Sequence, residues 1–444
     1  MNKNSEEEKI RNEILELVKD YHDKFHKRKP FEEGDRISYA SRVYDSQEMV
    51  NLVDSALEFW LTSGHWTEEF EKKLAKFLGL RFASFVNSGS SANLLAFMTL
   101  TSPMLEDRRI APGDEVITVA AGFPTTVSPM INYGAVPVFV DVSLPTYNID
   151  ISYLEEALSP KTKAVMVAHT LGNPFNIAEV ISFCEKHNLW LIEDNCDALG
   201  STYTLDGKEQ LTGTFGDLGT SSFYPAHHMT TGEGGAVYTR NPKLNKIMGS
   251  FRDWGKDCIC PSGIDNVCGH RFEKKYGDLP LGYDHKYTYS HFGYNLKATD
   301  LQAAIGVAQL DKLPLFTQRR RENFALLKSA LLDTQDKLLL PEATPNSNPS
   351  WFGFLITVRE GLDRSEIVKT IEDKGVQTRM LFAGNLLKHP CFDQMRDTGS
   401  GYRVIGELTN TDRILNDTFW VGLYPGMTEE MILYMAKTIK EAIK

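Results

Sequence analysis

A chain of 444 residues, with 42% hydrophobic and 11% aromatic side chains, has the length and apolar content of an enzyme built from a large core domain and a smaller one. Its 48 basic and 59 acidic residues leave a net charge of −11, which disfavours nucleic-acid binding, since that needs a coherent basic surface. The start MNKNSEEEKIRNE lacks the apolar core of a secretion signal, and no stretch reaches the roughly eighteen unbroken apolar residues of a membrane span, so a cytoplasmic protein without membrane contact is expected.

Residues 5–26 open with Ser5 and Glu8 at capping-box spacing and place Ile10, Ile14, Val18, Tyr21 and Phe25 on one helical face. Two further helical patterns follow at about 46–61 and 66–79, the second turning Phe70, Leu74 and Phe77 inward. From Ala83 to about Thr239 the runs ASFV, EVITV, PVFVDV, AVMVAH, LWLIE, TSSF and AVYT alternate with helical segments, the signature of a doubly wound, mostly parallel α/β sheet. Residues 252–295 have no clean period and read as an irregular functional insertion. A helical stretch from Thr299 to about Leu332, broken at Pro314, leads to a second set of strands beginning near Phe352 and a closing helix at 428–442. The expected layout is an N-terminal helical segment (1–60), a large domain (61–313) and a small α+β domain (314–444). Arg319, Arg320 and Arg321, the one tight basic run, read as a solvated helix face.

Three segments carry chemistry. FVNSGSSANLLAF sets Asn87, Ser88, Gly89, Ser90 and Ser91 between a strand and a helix, so that backbone N–H groups and hydroxyls converge at a helix N-terminus; this is either a phosphate cup or an ordinary helix cap. LWLIEDNCDALGS ends a buried strand on Glu193 and Asp194, where a carboxylate is costly unless paired; a pyridinium N–H would serve, as would the cap of the next helix. SSFYPAHHMTTGEGGAVYT runs a short strand through a turn and a glycine-rich segment back into a strand.

In this order, and together with ITVAAGFPTT and HFGYNLKATDLQAAIGVAQL, the segments resemble the DegT/DnrJ/EryC1/StrS family of pyridoxal-phosphate sugar aminotransferases, from about Leu61 to the C-terminus. The resemblance implies fold type I, with Gly89, Ser90 and Ser222 at the cofactor phosphate, Phe123 stacked on the ring and Asp194 at the pyridine nitrogen. It also implies a homodimer in which Asn295 reaches the neighbouring subunit's cofactor phosphate.

Two departures from the family pattern redirect the reading. His227 occupies the position of the family's lysine, and imidazole cannot form the covalent link to the cofactor aldehyde that a lysine amine forms. It can move a proton, which suits a pyridoxamine 5′-phosphate enzyme that eliminates a hydroxyl; the adjacent His228 is an alternative base. The second departure is the cysteine set. Of six cysteines, Cys258 and Cys260 form C-x-C, Cys268 follows after seven residues, and Cys196 lies two residues past Asp194. Four thiolates suit a 2Fe-2S cluster or zinc, and the nearness of Cys196 to the expected cofactor favours electron transfer. Cys184 and Cys391 read as inert.

With both departures, the chain resembles the family's 3-dehydrase branch, which acts on nucleotide-linked 4-keto-6-deoxyhexoses. That resemblance implies a CDP-4-keto-6-deoxyhexose substrate, an NAD(P)H-dependent iron-sulfur flavoprotein reductase as partner, and a product used for the 3,6-dideoxyhexoses of O-antigen. Asp197, Tyr224 and Phe352 side with this branch and are expected to shape the sugar pocket. An aminotransferase with an atypical base, a cluster-free dehydrase acting on a TDP- or GDP-sugar, and a non-catalytic protein of the same fold are the competing readings.

Overall fold

The apolar runs form one eight-stranded sheet in a computed structural model that describes residues 5–258 and 260–444. Its strands are β1 (Phe82–Val86), β2 (Glu115–Val119), β3 (Val136–Val140), β4 (Thr162–Ala168), β5 (Trp190–Asp194), β6 (Leu218–Ser222) and β7 (Gly235–Thr239), with a short edge strand at Arg403–Val404 beyond β3. The spatial order is β1-β7-β6-β5-β4-β2-β3, parallel throughout except that β7 runs against both its neighbours. Every residue of β2, β5, β6 and β7 is buried, the pattern expected of strands covered on both faces. Val86, Leu95, Val116, Ile192 and Val237 pack on one side, and Ile117, Val138, Val165 and Leu191 on the other. The sequence expectation of a doubly wound sheet therefore holds.

Helices α1 (Ser5–Phe25), α2 (Ser46–Glu58) and α3 (His65–Leu78) precede the sheet; α4 (Gly89–Thr99), α5 (Pro124–Tyr133), α6 (Ile177–His187) and α7 (Pro242–Arg252) lie between its strands or follow it. Phe70 and Leu74 of α3 are buried as expected. The apolar stripe of α1 is not: Ile10, Tyr21 and Phe25 are exposed, and no residue of this helix is buried. Ile14, Leu15 and Val18 are half-buried, and Arg11 ties the helix to α2 by bonding Asp54 and Glu58.

Helix α8 (Asp300–Ala330) corrects the expected break, because it passes through Pro314 uninterrupted and so spans the 313/314 boundary. At its start, the buried Asp300 carboxylate accepts from the backbone N–H groups of Gly64, Trp66 and Thr67 and from the Thr67 hydroxyl, capping α3 from a distance. A second sheet, of order β8-β9-β11-β10, comprises β8 (Leu338–Leu339), β9 (Gly353–Val358), β10 (Thr378–Arg379) and β11 (Thr418–Gly422); it packs with the closing helix α9 (Glu429–Ala442) around Phe354, Ile356, Phe419 and Met435. Among the described residues of 253–295 the regular structure is a short 3₁₀ turn at His285–Tyr287 and isolated bridges, as the lack of period predicts.

Candidate active site

The C-terminal ends of the parallel strands gather the expected residues. A Cβ on Gly89 would stand 2.3 Å from the Ser222 Cβ, and one on Gly235 would stand 2.4 Å from the Ser88 carbonyl oxygen. Only glycine therefore allows the start of α4, the end of β6 and the start of β7 to converge. Ser88 is the cap of α4, its hydroxyl accepting from the Ser91 N–H at 3.0 Å, so the capping reading describes this turn. Gly89 lies in the cradle, Ser90 is exposed at its rim, and the Ser222 hydroxyl faces Gly89.

At the end of β5 the two carboxylates have different partners. Glu193 accepts from the N–H groups of Gly213, Phe215 and Gly216 at 2.8, 2.7 and 2.6 Å and from His169 Nε2 at 3.0 Å. Phe175 N–H donates to His169 Nδ1, and its ring stacks on the imidazole at 4.3 Å, which fixes the tautomer with Nε2–H toward Glu193. Asp194 Oδ2 accepts from Asn93 Nδ2 and the Thr126 hydroxyl, both at 2.7 Å, and Oδ1 accepts from the Cys196 N–H at 3.2 Å. Thr220 orients Asn93 by donating to its carbonyl oxygen at 2.7 Å. Asn93, Thr126 and Thr220 were invisible in the sequence as site residues; the available signals were the placement of Asn93 one helical turn after Gly89 and of Thr126 three residues after Phe123. The Phe123 ring is half exposed, edge-on to Phe382 at 5.7 Å, and presents an open face.

The turn after β6 carries the two histidines. His227 N–H donates to the Tyr224 carbonyl at 2.9 Å, and its imidazole lies 5.4 Å from the Phe352 ring and 6.3 Å from the Tyr224 ring. Its Nε2 stands 3.3 Å from Asp197 Oδ1, while Nδ1 is buried with no partner among the described residues. The three residues expected to shape the sugar pocket therefore all surround His227. His228 points the other way: it is fully buried, with Nε2–H donating to the Ser350 carbonyl at 2.7 Å. Burial foremost, with the neighbouring Arg320 charge, holds its pKa well below the usual histidine value. His228 is thus enclosed and tied to Ser350, whereas His227 faces Asp197, Phe352 and Tyr224; both leave Nδ1 without a partner among the described residues. The sign for stability follows: a depressed histidine contributes stability above its unfolded pKa of about 6.5 that is lost as pH falls. Melting temperature is expected to drop as pH is lowered through that value, and to drop less in His228→Asn, as calorimetry across the range would show.

Asp197 has the opposite character. Burial raises its pKa, against the lowering effect of His227 and Arg320, so its ionisation costs the fold stability, a cost that accrues as pH rises from the unfolded carboxylate value to the folded pKa and is constant above it. Asp197→Asn is therefore expected to raise the melting temperature at neutral pH while slowing the reaction, and a thermal melt beside a rate measurement checks both signs.

The arginine run is not a solvated face. Arg320 is 1% exposed, and Arg319, Arg320 and Arg321 all donate to backbone carbonyls of other segments. Burial pulls the Arg320 guanidinium down to about 9, with Asp197 acting in the opposite sense.

The cysteines divide. In the irregular segment each thiol of the trio accepts a backbone N–H at 3.4 Å: Cys258 from Cys260, Cys260 from Val267, and Cys268 from His270. His285 Nδ1 lies 3.6 Å from Cys268 Sγ, with Nε2 at 2.8 Å from Asp257 and Tyr276 stacked on the ring at 4.7 Å. Cys196 instead stands beside Asp194, Asp197 and Thr220, where burial and the two carboxylates push its thiol well up. Among the described residues no three His, Cys, Asp or Glu side chains are arranged to hold a metal ion. The His285 hydrogen bond is the first cause lowering the Cys268 thiol, whereas burial raises Cys258 and Cys184. In metal-free protein Cys268 is expected to be alkylated before Cys258, Cys184 and Cys196, and more slowly in His285→Ala, as peptide mass spectrometry would read.

Asn295 is exposed, bridges Asp253, and accepts from Lys297 Nζ at 3.0 Å. Among the described residues no helix is long and apolar enough to cross a membrane.

Residues 43–440 match the model of the DegT/DnrJ/EryC1/StrS aminotransferase family. The chain is 54% identical over 435 residues to the lipopolysaccharide biosynthesis protein RfbH of Salmonella typhimurium, covering 97% of this chain and 98% of that one. It is 50% identical over 433 residues to dTDP-4-dehydro-2,6-dideoxy-D-glucose 3-dehydratase of Saccharopolyspora spinosa, covering 97% and 91%. Among solved structures, E. coli GDP-4-keto-6-deoxy-D-mannose-3-dehydratase with bound hydrated PLP superposes with a TM-score of 0.80 at 28% identity, over 91% of this chain and 100% of that one. The fold is fold type I, and the chain belongs to the DegT/DnrJ/EryC1/StrS aminotransferase family.

Proposed function

We propose that this chain is a deoxysugar 3-dehydratase that removes the C3 hydroxyl of a nucleotide-linked 4-keto-6-deoxyhexose with pyridoxamine 5′-phosphate as cofactor. One observation carries the reading: the group in the turn after β6, walled by Tyr224, Phe352 and Asp197, is an imidazole and not an amine. The residues present fit the cofactor. Gly89, Ser90 and Ser222 suit its phosphate, the open face of Phe123 suits its ring, and the Asp194 carboxylate, braced by Asn93 and Thr126, suits its ring nitrogen. His227 Nδ1 is buried and without a partner among the described residues, as His228 Nδ1 also is, and of the two only the His227 ring lies beside Asp197 and Tyr224. When bound, the cofactor supplies an amine for the sugar ketone and an electron sink.

The work of the chain's own residues follows from their placement. His227 takes up a proton, and the resulting imidazolium is held with Nε2 3.3 Å from the Asp197 carboxylate, which stabilises the charge and fixes the ring. The buried Phe352 ring packs at 5.4 Å along one side of it, and the Tyr224 ring lies at 6.3 Å. His228 stays neutral and buttresses the turn through Ser350.

On the nucleotide, the names of the relatives favour a TDP- or GDP-linked sugar over the CDP-linked one implied by the sequence resemblance. Incubating the protein with TDP-, GDP- and CDP-linked 4-keto-6-deoxyhexoses, pyridoxamine phosphate and a reductant, and following the C3 oxygen by mass spectrometry, tests the proposal. Loss of that oxygen from one of the three is expected; three inert sugars, with amino transfer from glutamate instead, would overturn it in favour of an aminotransferase.

A redox role is supported by the cysteine trio, whose three sulfurs each accept a backbone N–H, the environment that iron-sulfur thiolates use. Cys258, Cys260 and Cys268, with Cys196 as the fourth, are proposed as ligands of a 2Fe-2S cluster fed by an NAD(P)H-dependent iron-sulfur flavoprotein reductase on their sequence spacing and the resemblance; among the described residues they do not converge on one point. Anaerobically purified protein is expected to show iron-sulfur charge-transfer bands that vanish in a Cys258→Ala/Cys260→Ala variant; colourless, iron-free protein would remove the redox half alone. A homodimer is part of the same proposal, supported by the exposure of Asn295 and by Phe292, which is 100% exposed.

A further inference from the structure

Arg320 reaches from the middle of α8 to the underside of the His227 turn, and among the described residues no carboxylate lies within ion-pair distance of it. Its Nη2 donates to the His227 carbonyl at 3.2 Å. Its Nη1 serves the carbonyls of Trp351 and Leu423 at 3.2 Å and of Phe352 at 3.4 Å, and its Nε has no partner. The guanidinium carbon stands 5.7 Å from the centre of the Phe352 ring, the same ring that lies 5.4 Å from the His227 imidazole.

A buried cation is expensive, and an apolar side chain of similar volume would fill the space at lower cost. What that cation obtains here is a set of carbonyls from three segments: the base-bearing turn, the entry to β9, and the end of β11. A planar guanidinium can hold such carbonyls in one fixed arrangement, whereas a lysine ammonium, a point donor on a flexible stem, cannot. Two of those carbonyls belong to His227 itself and to Phe352, the two rings whose spacing defines the pocket.

We infer that Arg320 is a positioning residue for His227, fixing the imidazole against Phe352 through the backbone carbonyls of both residues. The inference rests on the reading of His227 as the base. It requires that Arg320 act through His227 and not through the general stability of the fold.

The test uses the enzyme loaded with pyridoxamine phosphate in D₂O and reads exchange of the cofactor's C4′ hydrogen by mass spectrometry, beside cofactor affinity and melting temperature. The proteins compared are the wild type, Arg320→Lys, Arg320→Gln, His227→Asn and the double variant His227→Asn/Arg320→Lys. Arg320→Lys is expected to fold, to bind the cofactor as the wild type does, and to exchange about 100-fold more slowly, the effect of an ångström-scale misplacement of a reacting group. The double variant is expected to be no slower than His227→Asn alone, because a residue acting through another has nothing left to lose. Arg320→Gln repeats the comparison without the charge. Exchange at the wild-type rate in folded Arg320→Lys and Arg320→Gln, a double variant that suffers both losses in full, or failure of both single variants to fold would overturn the inference. Wild-type exchange in His227→Asn would instead overturn the base assignment beneath it.

Discussion

His227→Asn is expected to lower the deoxygenation rate by about 10²–10⁴-fold, the range associated with loss of a positioned acid-base group. Asparagine is close in size and polar, but it cannot take a proton. The contacts by which residue 227 serves the fold belong to its backbone: the N–H bonded to Tyr224 and the carbonyl held by Arg320 survive the change. Melting temperature and cofactor affinity should therefore stay near their wild-type values while the rate falls, and single-turnover mass spectrometry of the sugar measures the loss. His228→Asn is the control. Its imidazole faces the Ser350 carbonyl in a closed interior, so the variant should lose stability and keep its proton-transfer rate. If the two variants exchanged these phenotypes, the assignment of the base would move to His228.

The second large effect is structural. Glu193→Ala is expected to cost on the order of 4 kcal/mol, because three backbone N–H groups and the His169 imidazole would be left buried without an acceptor, each at about 1–3 kcal/mol with incomplete additivity. That corresponds to a fall of about 4 °C in melting temperature for a chain of 444 residues. Both Glu193 and His169 are completely enclosed, so water cannot enter to replace the carboxylate without opening the sheet. The loss should reach the site as well. Asp194 is the next residue, and its carbonyl accepts from the His169 N–H at 3.1 Å, so cofactor affinity should weaken together with stability. Calorimetry and a cofactor titration on the same preparation measure both; a stable Glu193→Ala variant would mean that the loop 213–216 finds other acceptors.

What the sequence revealed follows from how locally each feature is encoded. Seven of the eight strands of the large sheet are short runs closed by turn signals and were readable in isolation; the edge strand Arg403–Val404 is too short to carry such a signal. His227 was readable because it stands at a fixed offset from Ser222 in a strand-turn-strand unit. Asn93, Thr126 and Thr220 were not, since they meet at Asp194 from three separate elements and each alone is an ordinary helix or strand residue. Arg320 was misread for a related reason. A run of three arginines on a helix suggests water, and only the return of residues 348–352 and 423 over that helix turns it into the interior. Pro314 was misread by a local rule: proline removes one helical hydrogen bond, but the packing of α2 and α3 along α8 holds the helix through it. The cysteine spacing suggested one four-thiolate set, whereas among the described residues no such group is arranged around a metal and Cys196 lies in the separate surroundings of the end of β5.

Because α8 is continuous, the molecule contains a rod of about 46 Å, at 1.5 Å per residue over 31 residues, that joins the cap of α3 at one end to the small sheet at the other. Asp300 and Arg320 are both fastened to it. A rod anchored at both ends resists the clamshell swing by which two-domain enzymes often close over a ligand. Access for a bulky nucleotide sugar should therefore be gated by loop movement at the rim, with the base and its carbonyl clamp staying in one place through the catalytic cycle.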